Sequence, residues 1–142
     1  MSTPTTTARD IMTPNPQTIT ASTTLADAAR LMRDLDVGSL PICVEDDKLT
    51  GMITDRDIVV RCIAEDGDPW EVTAGSLSEG DPITVAVDDP MDDILNTMAE
   101  YQVRRLPVLE DGRLVGIISE ADIAQDGNTE EVADTVQAVT QP

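Results

Sequence analysis

Two short stretches of the chain place a hydroxyl three residues ahead of a carboxylate, each just after a glycine and two apolar residues. They are "GMITDRD" from Gly51 to Asp57 and "GIISEAD" from Gly116 to Asp122. Two chemistries fit Thr54 with Asp57 and Ser119 with Asp122. One is a capping box, in which each side chain binds the other residue's backbone N–H at a helix start. The other is a nucleotide seat: free N–H groups of a helix start hold a phosphate, and the carboxylate accepts both hydroxyls of a ribose. Arg56 adds a charge-assisted contact to a phosphate in the first stretch. In the second, Glu120 and Ala121 stand where Asp55 and Arg56 stood, so the basic residue is gone.

The elements that must carry these residues are also written twice. Leu25, Ala28, Met32 and Leu35 form the apolar stripe of an amphipathic helix, and Met91, Ile94, Met98 and Tyr101 repeat it at a constant offset. A strand-like segment precedes each helix, "QTITA" from Gln17 and "PITVAV" from Pro82, followed by a capping cluster, "STT" at Ser22 or "DDP" at Asp88. Behind each helix two β-rich runs flank a polar turn: "SLPICV", "EDDK" and "LTGMIT", then "RLPVL", "EDGR" and "LVGIIS". The second hairpin is one residue shorter. Helices then start near Asp57 and Asp122. Each unit reads β-α-β-β-α, an α+β fold, with a polar linker around Trp70. Units this small rarely bury enough apolar area alone, so the two are expected to pack face to face.

Composition removes several function classes. Lys and Arg number 9 against 28 Asp and Glu, a net charge of −19 over 142 residues, which disfavours nucleic acid and anionic membranes as partners. The chain contains no histidine, so histidine-based catalysis and His-ligated zinc are excluded. Cys43 and Cys62 lack C-x-x-C spacing and read as small buried hydrophobes. The doublets Asp46-Asp47, Asp88-Asp89 and Asp92-Asp93 fall at turns and helix starts without EF-hand spacing, so no metal ligands are assigned. No nucleophile–base pair or Walker-type loop appears, so no catalytic residue is assigned and the chain reads as a non-enzyme. The opening "MSTPTTTARD" does not read as a secretory signal, and a cytoplasmic protein is expected.

The "DIMTPNPQTI" opening, the "VGSLPI" and "VRRLPV" strands and the paired G-x-x-[ST]-x-x-D stretches resemble a tandem pair of CBS domains, the module named after cystathionine β-synthase. The resemblance covers Asp10 to Ala124 and divides the chain into repeat 1 at 8–65, a linker at 66–75 and repeat 2 at 76–126; beyond it, the spacing of Val132, Val136 and Val139 reads as a helical tail at 127–142. It implies two repeats packed sheet to sheet with pseudo-twofold symmetry, a homodimer, and clefts that bind AMP, ADP, ATP or S-adenosylmethionine as a regulatory ligand. Carried over by motif position, the first site comprises Thr18, Ile19, Leu40, Pro41, Thr54, Arg56 and Asp57. The second comprises Ile83, Thr84, Leu106, Pro107, Ser119 and Asp122, with Arg104 or Arg105 pointing a guanidinium at the cleft while the other pairs with Glu100 or Glu110. On this reading the first cleft is the better phosphate site. An interaction module with vestigial clefts, regulating a protein partner, is the alternative.

Overall fold

A computed structural model describes residues 6–78 and 81–126; the expected tail at 127–142, with its valine stripe, lies outside them. Along the chain run α1 (Ala8–Ile11), β1 (Thr13–Pro14), α2 (Leu25–Leu35), β2 (Ser39–Val44), β3 (Lys48–Thr54), α3 (Asp55–Ile58), α4 (Ala74–Leu77), β4 (Val85–Ala86), α5 (Met91–Tyr101), β5 (Arg105–Glu110), β6 (Arg113–Ser119) and α6 (Glu120–Asp126). The helix begun by α3 continues as a π-helical turn over Val59–Ile63. The mixture is the expected α+β class. No helix among the described residues is long and apolar enough to cross a membrane.

The elements sort into two compact units: a central one over Gln17–Pro82, and a flanking one that joins the chain up to Pro16 to the chain from Ile83. Backbone hydrogen bonds explain this division. The first N–H groups of a helix have no partner within it and must find one elsewhere. For α2, Leu25 donates to the Val72 carbonyl at 2.9 Å and Ala26 to the Pro69 carbonyl at 2.8 Å. For α5, Met91 donates to the Thr6 carbonyl at 3.0 Å, and close by Ala8 donates to Asp89 at 2.9 Å. Each long helix is therefore completed by the segment that leads into the other repeat. Residues 66–75, expected as a linker, lie within the central unit, where Ala74 is fully buried. There the Arg30 guanidinium sits 4.6 Å from the centre of the Trp70 ring.

The N-cap of α2 is Thr24, whose hydroxyl accepts from the Asp27 N–H at 3.3 Å, whereas α5 starts after Pro90 with no side-chain cap. Both helices stop at a left-handed residue, Asp36 at φ 56° and Gln102 at φ 54°. The expected stripes are buried at Leu25, Ala28, Met32, Ile94 and Met98, but Leu35 and Tyr101 are exposed. Each is the last residue of its helix, and the buried stripe ends one turn earlier, at Met32 and at Met98.

The two hairpins are antiparallel and share a plan. Leu40 faces Ile53 in β2–β3, Leu106 faces Ile118 in β5–β6, and both registers break at the same place, after Ile42 and after Val108. Their turns differ as the one-residue deletion requires. Glu45–Asp47 holds two left-handed aspartates, while Asp111 and Gly112 make a two-residue turn at φ 52° and 79°. The segments expected as full strands ahead of the helices are shorter. "QTITA" makes a single parallel bridge, Ile19 to Ile42, and "PITVAV" a two-residue strand, β4, parallel to β5. Local hydrogen bonds divert the backbone: the Thr20 N–H turns to the Thr23 hydroxyl at 3.2 Å, and the Ala86 N–H to the Asp89 carboxylate at 2.9 Å. In the flanking unit β1 adds an antiparallel pair to β6.

Each unit has its own core. The central one gathers Leu25, Ala28, Leu40, Ile42, Ile53 and Cys62; the flanking one Ile94, Met98, Leu106, Val108, Ile118 and Ile123. Cys43 and Cys62 are free and buried, and burial, with a smaller push from Asp47, raises the Cys43 thiol above its ordinary pKa. Close packing also decides which glycines resist change. A Cβ on Gly75 would stand 2.6 Å from the Ala21 Cβ, with no flexible side chain able to yield. Gly75→Ala, although favoured by helix propensity, is expected to lower the unfolding free energy by about 1–3 kcal/mol in urea denaturation.

Candidate functional site

At the end of β3 the Thr54 hydroxyl accepts from the Asp57 N–H at 3.0 Å, and the Thr54 N–H donates to Asp57 Oδ2 at 3.0 Å. At the end of β6 the pattern recurs. Ser119 N–H donates to Asp122 Oδ2 at 2.9 Å, and the Asp122 N–H to Ser119 Oγ at 3.3 Å. Both stretches are thus reciprocal capping boxes. The cap uses one lone pair of one oxygen and fixes the carboxylate in the half-buried angle between strand and helix. A carboxylate has roughly four acceptor positions, so the cap leaves acceptor capacity on both oxygens.

Each carboxylate also has an arginine, supplied from a different element. In the central unit Arg61, one turn along the helix, brings Nη1 to 4.0 Å from Asp57 Oδ1 and also donates to the Leu77 carbonyl. Sequence reading passed over Arg61, although its i+4 spacing from Asp57 is the ordinary signal for such a pair. In the flanking unit Arg105 stands directly opposite Ser119 across the hairpin, and the charge of Asp122 acts on it. Burial lowers the pKa of Arg105, against the pull of Asp122, and its Nε is buried without a hydrogen-bond partner.

The register shows what occupies each equivalent place. Ser39 faces Thr54 as Arg105 faces Ser119. Gly38 gives its carbonyl to the Asp55 N–H at 2.9 Å, and Arg104 gives its carbonyl to the Glu120 N–H at 3.1 Å. The Arg104 side chain lies 3.7 Å from Glu120, not at Glu100 or Glu110 as expected, because this backbone bond brings the two residues together; Glu110 pairs with Arg9 instead. Arg56 is exposed. Val85 bridges Val108 as Ile19 bridges Ile42, so Val85 and not Ile83 is the structural counterpart of Ile19.

The expected apolar residues lie at different depths. Leu40, Leu106 and Pro107 are fully buried and Pro41 is buried, each near the start of its hairpin's first strand. Thr18, Ile83 and Thr84 are half-buried. Thr18 and Ile19 line an open cleft of about 610 Å³ with Thr20, Cys43, Glu45 and Asp47, and that lining does not include Thr54, Arg56 or Asp57.

A duplicated α+β unit whose hairpin ends in a hydroxyl-carboxylate junction defines a CBS-domain pair. Residues 8–63 and 74–126 match the family model of the CBS domain, and the chain belongs to that family. It is 44% identical over 137 residues, 96% of each chain, to Hypoxic response protein 1 of Mycobacterium tuberculosis (strain ATCC 25618 / H37Rv). With the CBS domain-containing protein YhcV of Bacillus subtilis (strain 168) it shares 37% identity over 120 residues, 82% of this chain and 81% of that protein. Among solved structures it is similar to Hypoxic Response Protein I with two coordinated zinc ions, at TM-score 0.81 and 47% identity over 87% of this chain and 100% of that one. The CBS domain pair of MJ0100, in complex with 5′-methylthioadenosine and S-adenosyl-L-methionine, superposes at TM-score 0.75 and 30% identity over 86% and 95% of the two chains.

The zinc of the first neighbour finds no matching set of ligands among the described residues. This chain has no histidine, and no group of three His, Cys, Asp or Glu side chains among the described residues could hold a metal ion. The caps themselves give a direct expectation: Thr54→Ala and Ser119→Ala should each lower the unfolding free energy by about 0.5–2 kcal/mol, measured by chemical denaturation.

Proposed function

We propose that this CBS pair is a non-catalytic regulatory module that binds an adenosine compound, of the class AMP, ADP, ATP or S-adenosylmethionine, at the junctions built on Asp57 and Asp122. The observation that carries the reading is the pair of matched carboxylates, each held by its cap with acceptor capacity to spare. A ribose presents two adjacent hydroxyl donors, which such a carboxylate can accept together. Support also comes from the MJ0100 pair, which was solved with two adenosine compounds. On this reading Thr18, Ile19, Pro41, Ile83, Thr84 and Pro107 border the base, with Leu40 and Leu106 behind them. The protein works in the cytoplasm as a homodimer that regulates a protein partner, and its net charge of −19 keeps it from nucleic acid and anionic membranes.

One observation favours the alternative, an interaction module that needs no nucleotide. Val59, Val60 and Ile63 are exposed together on the helical segment after Asp57, a surface suited to another protein. The discriminating experiment is isothermal titration with AMP, ATP and S-adenosylmethionine. Saturable binding of at least one of them is expected, and its loss in Asp57→Asn/Asp122→Asn. Asparagine is chosen because its amide oxygen can still cap the helix, whereas alanine would remove cap and ligand acceptor together. No heat and no thermal shift with any of the three, on folded protein, would contradict the proposal.

A further inference from the structure

The two junctions share a backbone plan but differ at the one side chain that faces the capping hydroxyl across the hairpin. Ser39 stands opposite Thr54, and Arg105 opposite Ser119. Neither is satisfied internally: Ser39 Oγ and Arg105 Nε are both buried without a hydrogen-bond partner. Ser39 is nine-tenths buried, and Arg105 is half-buried. Buried polar atoms are ordinarily paired, and an orphan at a candidate binding site is a place where a ligand or water completes the bonding.

The cations near the central junction are committed or exposed to solvent. Arg61 is held by the Leu77 carbonyl and by Asp57, and Arg56 is exposed on α3 beside Asp55. Toward the other end of β2, Glu45 and Asp47 add negative charge to the cleft that Thr18 and Ile19 line. At the flanking junction the exposed Arg104 approaches Glu120 at 3.7 Å, the Glu120 Oε1 is itself buried without a hydrogen-bond partner, and Arg105 is the desolvated cation. A guanidinium withdrawn from water interacts more strongly with an anion than an exposed one does.

We infer that the two units select different adenosine compounds, the flanking unit a phosphate-bearing nucleotide through Arg105 and the central unit, with Ser39 in that position, an uncharged nucleoside. The inference deepens the adenosine reading and rests on it. It also reverses the expectation from Arg56 that the first site is the better one for phosphate.

AMP and adenosine differ only by the phosphate, so the pair isolates this choice. Full-length protein labelled at isoleucine methyls reports the two units separately, through Ile19 in the central one and Ile83 in the flanking one. AMP is expected to move Ile83 at lower concentration than Ile19, and adenosine the reverse. Arg105→Gln should weaken AMP at the flanking unit by about tenfold or more while adenosine binding at the central unit persists, which also shows that the variant is folded. Arg105→Lys should keep most of the AMP affinity, and Ser39→Arg should let AMP move Ile19. Tightest AMP binding at Ile19, loss of AMP with Arg56→Ala instead of Arg105→Gln, or equal preference at both methyls would overturn the selectivity while leaving the adenosine reading intact. If neither compound moves either methyl, the adenosine reading fails and the inference with it.

Discussion

The reciprocal hydrogen bonds between Thr54 and Asp57, and between Ser119 and Asp122, are the interaction on which the rest of this structure turns. They end a buried strand, begin a helix and immobilise a carboxylate in one stroke. A rotating aspartate would lose side-chain entropy on binding a ligand, and one already fixed by its cap has lost it during folding. Cap and candidate binding group are therefore one device, and a choice between the two chemistries of the sequence motif is not required.

Duplication supplies the second constraint. Because α2 and α5 are each completed by the segment leading into the other repeat, neither repeat has all of its hydrogen-bond partners within its own stretch of chain. The two hairpins also keep one plan, down to the register break after Ile42 and after Val108. Positions outside the plan are free to diverge. Ser39 against Arg105, Gly38 against Arg104 and Arg56 against Ala121 are such positions, and all of them adjoin the junctions.

Much of this was legible in the sequence. The helical stripes, the hairpins and their one-residue difference follow from hydrophobic period and turn chemistry, which are local. Family membership was legible because two matched stretches recur in register. What escaped was set by partners distant along the chain. That the segment at 66–75 also completes α2, through the carbonyls of Pro69 and Val72, is one such feature. The pairing of Arg104 with Glu120, and the placing of Arg105 against Ser119, follow from hairpin register, which is only fixed once the turn and the break after Val108 are known. The loss of strand at "QTITA" is local, but it was hidden by threonine, which favours strands through its β-branch and ends them through its hydroxyl.

The acidic balance of the chain gives arginine placement unusual weight, because 28 carboxylates compete for 9 cations. Asp57 has Arg61 at 4.0 Å and Asp122 acts on Arg105 through its charge alone, while each cap leaves acceptor capacity on its carboxylate. The most direct measurement of that claim is a crystal structure grown with an adenosine compound. The account predicts ribose hydroxyls within hydrogen-bond distance of Asp57 or Asp122, with the reciprocal cap still in place. Ligand density away from both carboxylates, or a cap broken to admit the ribose, would contradict it.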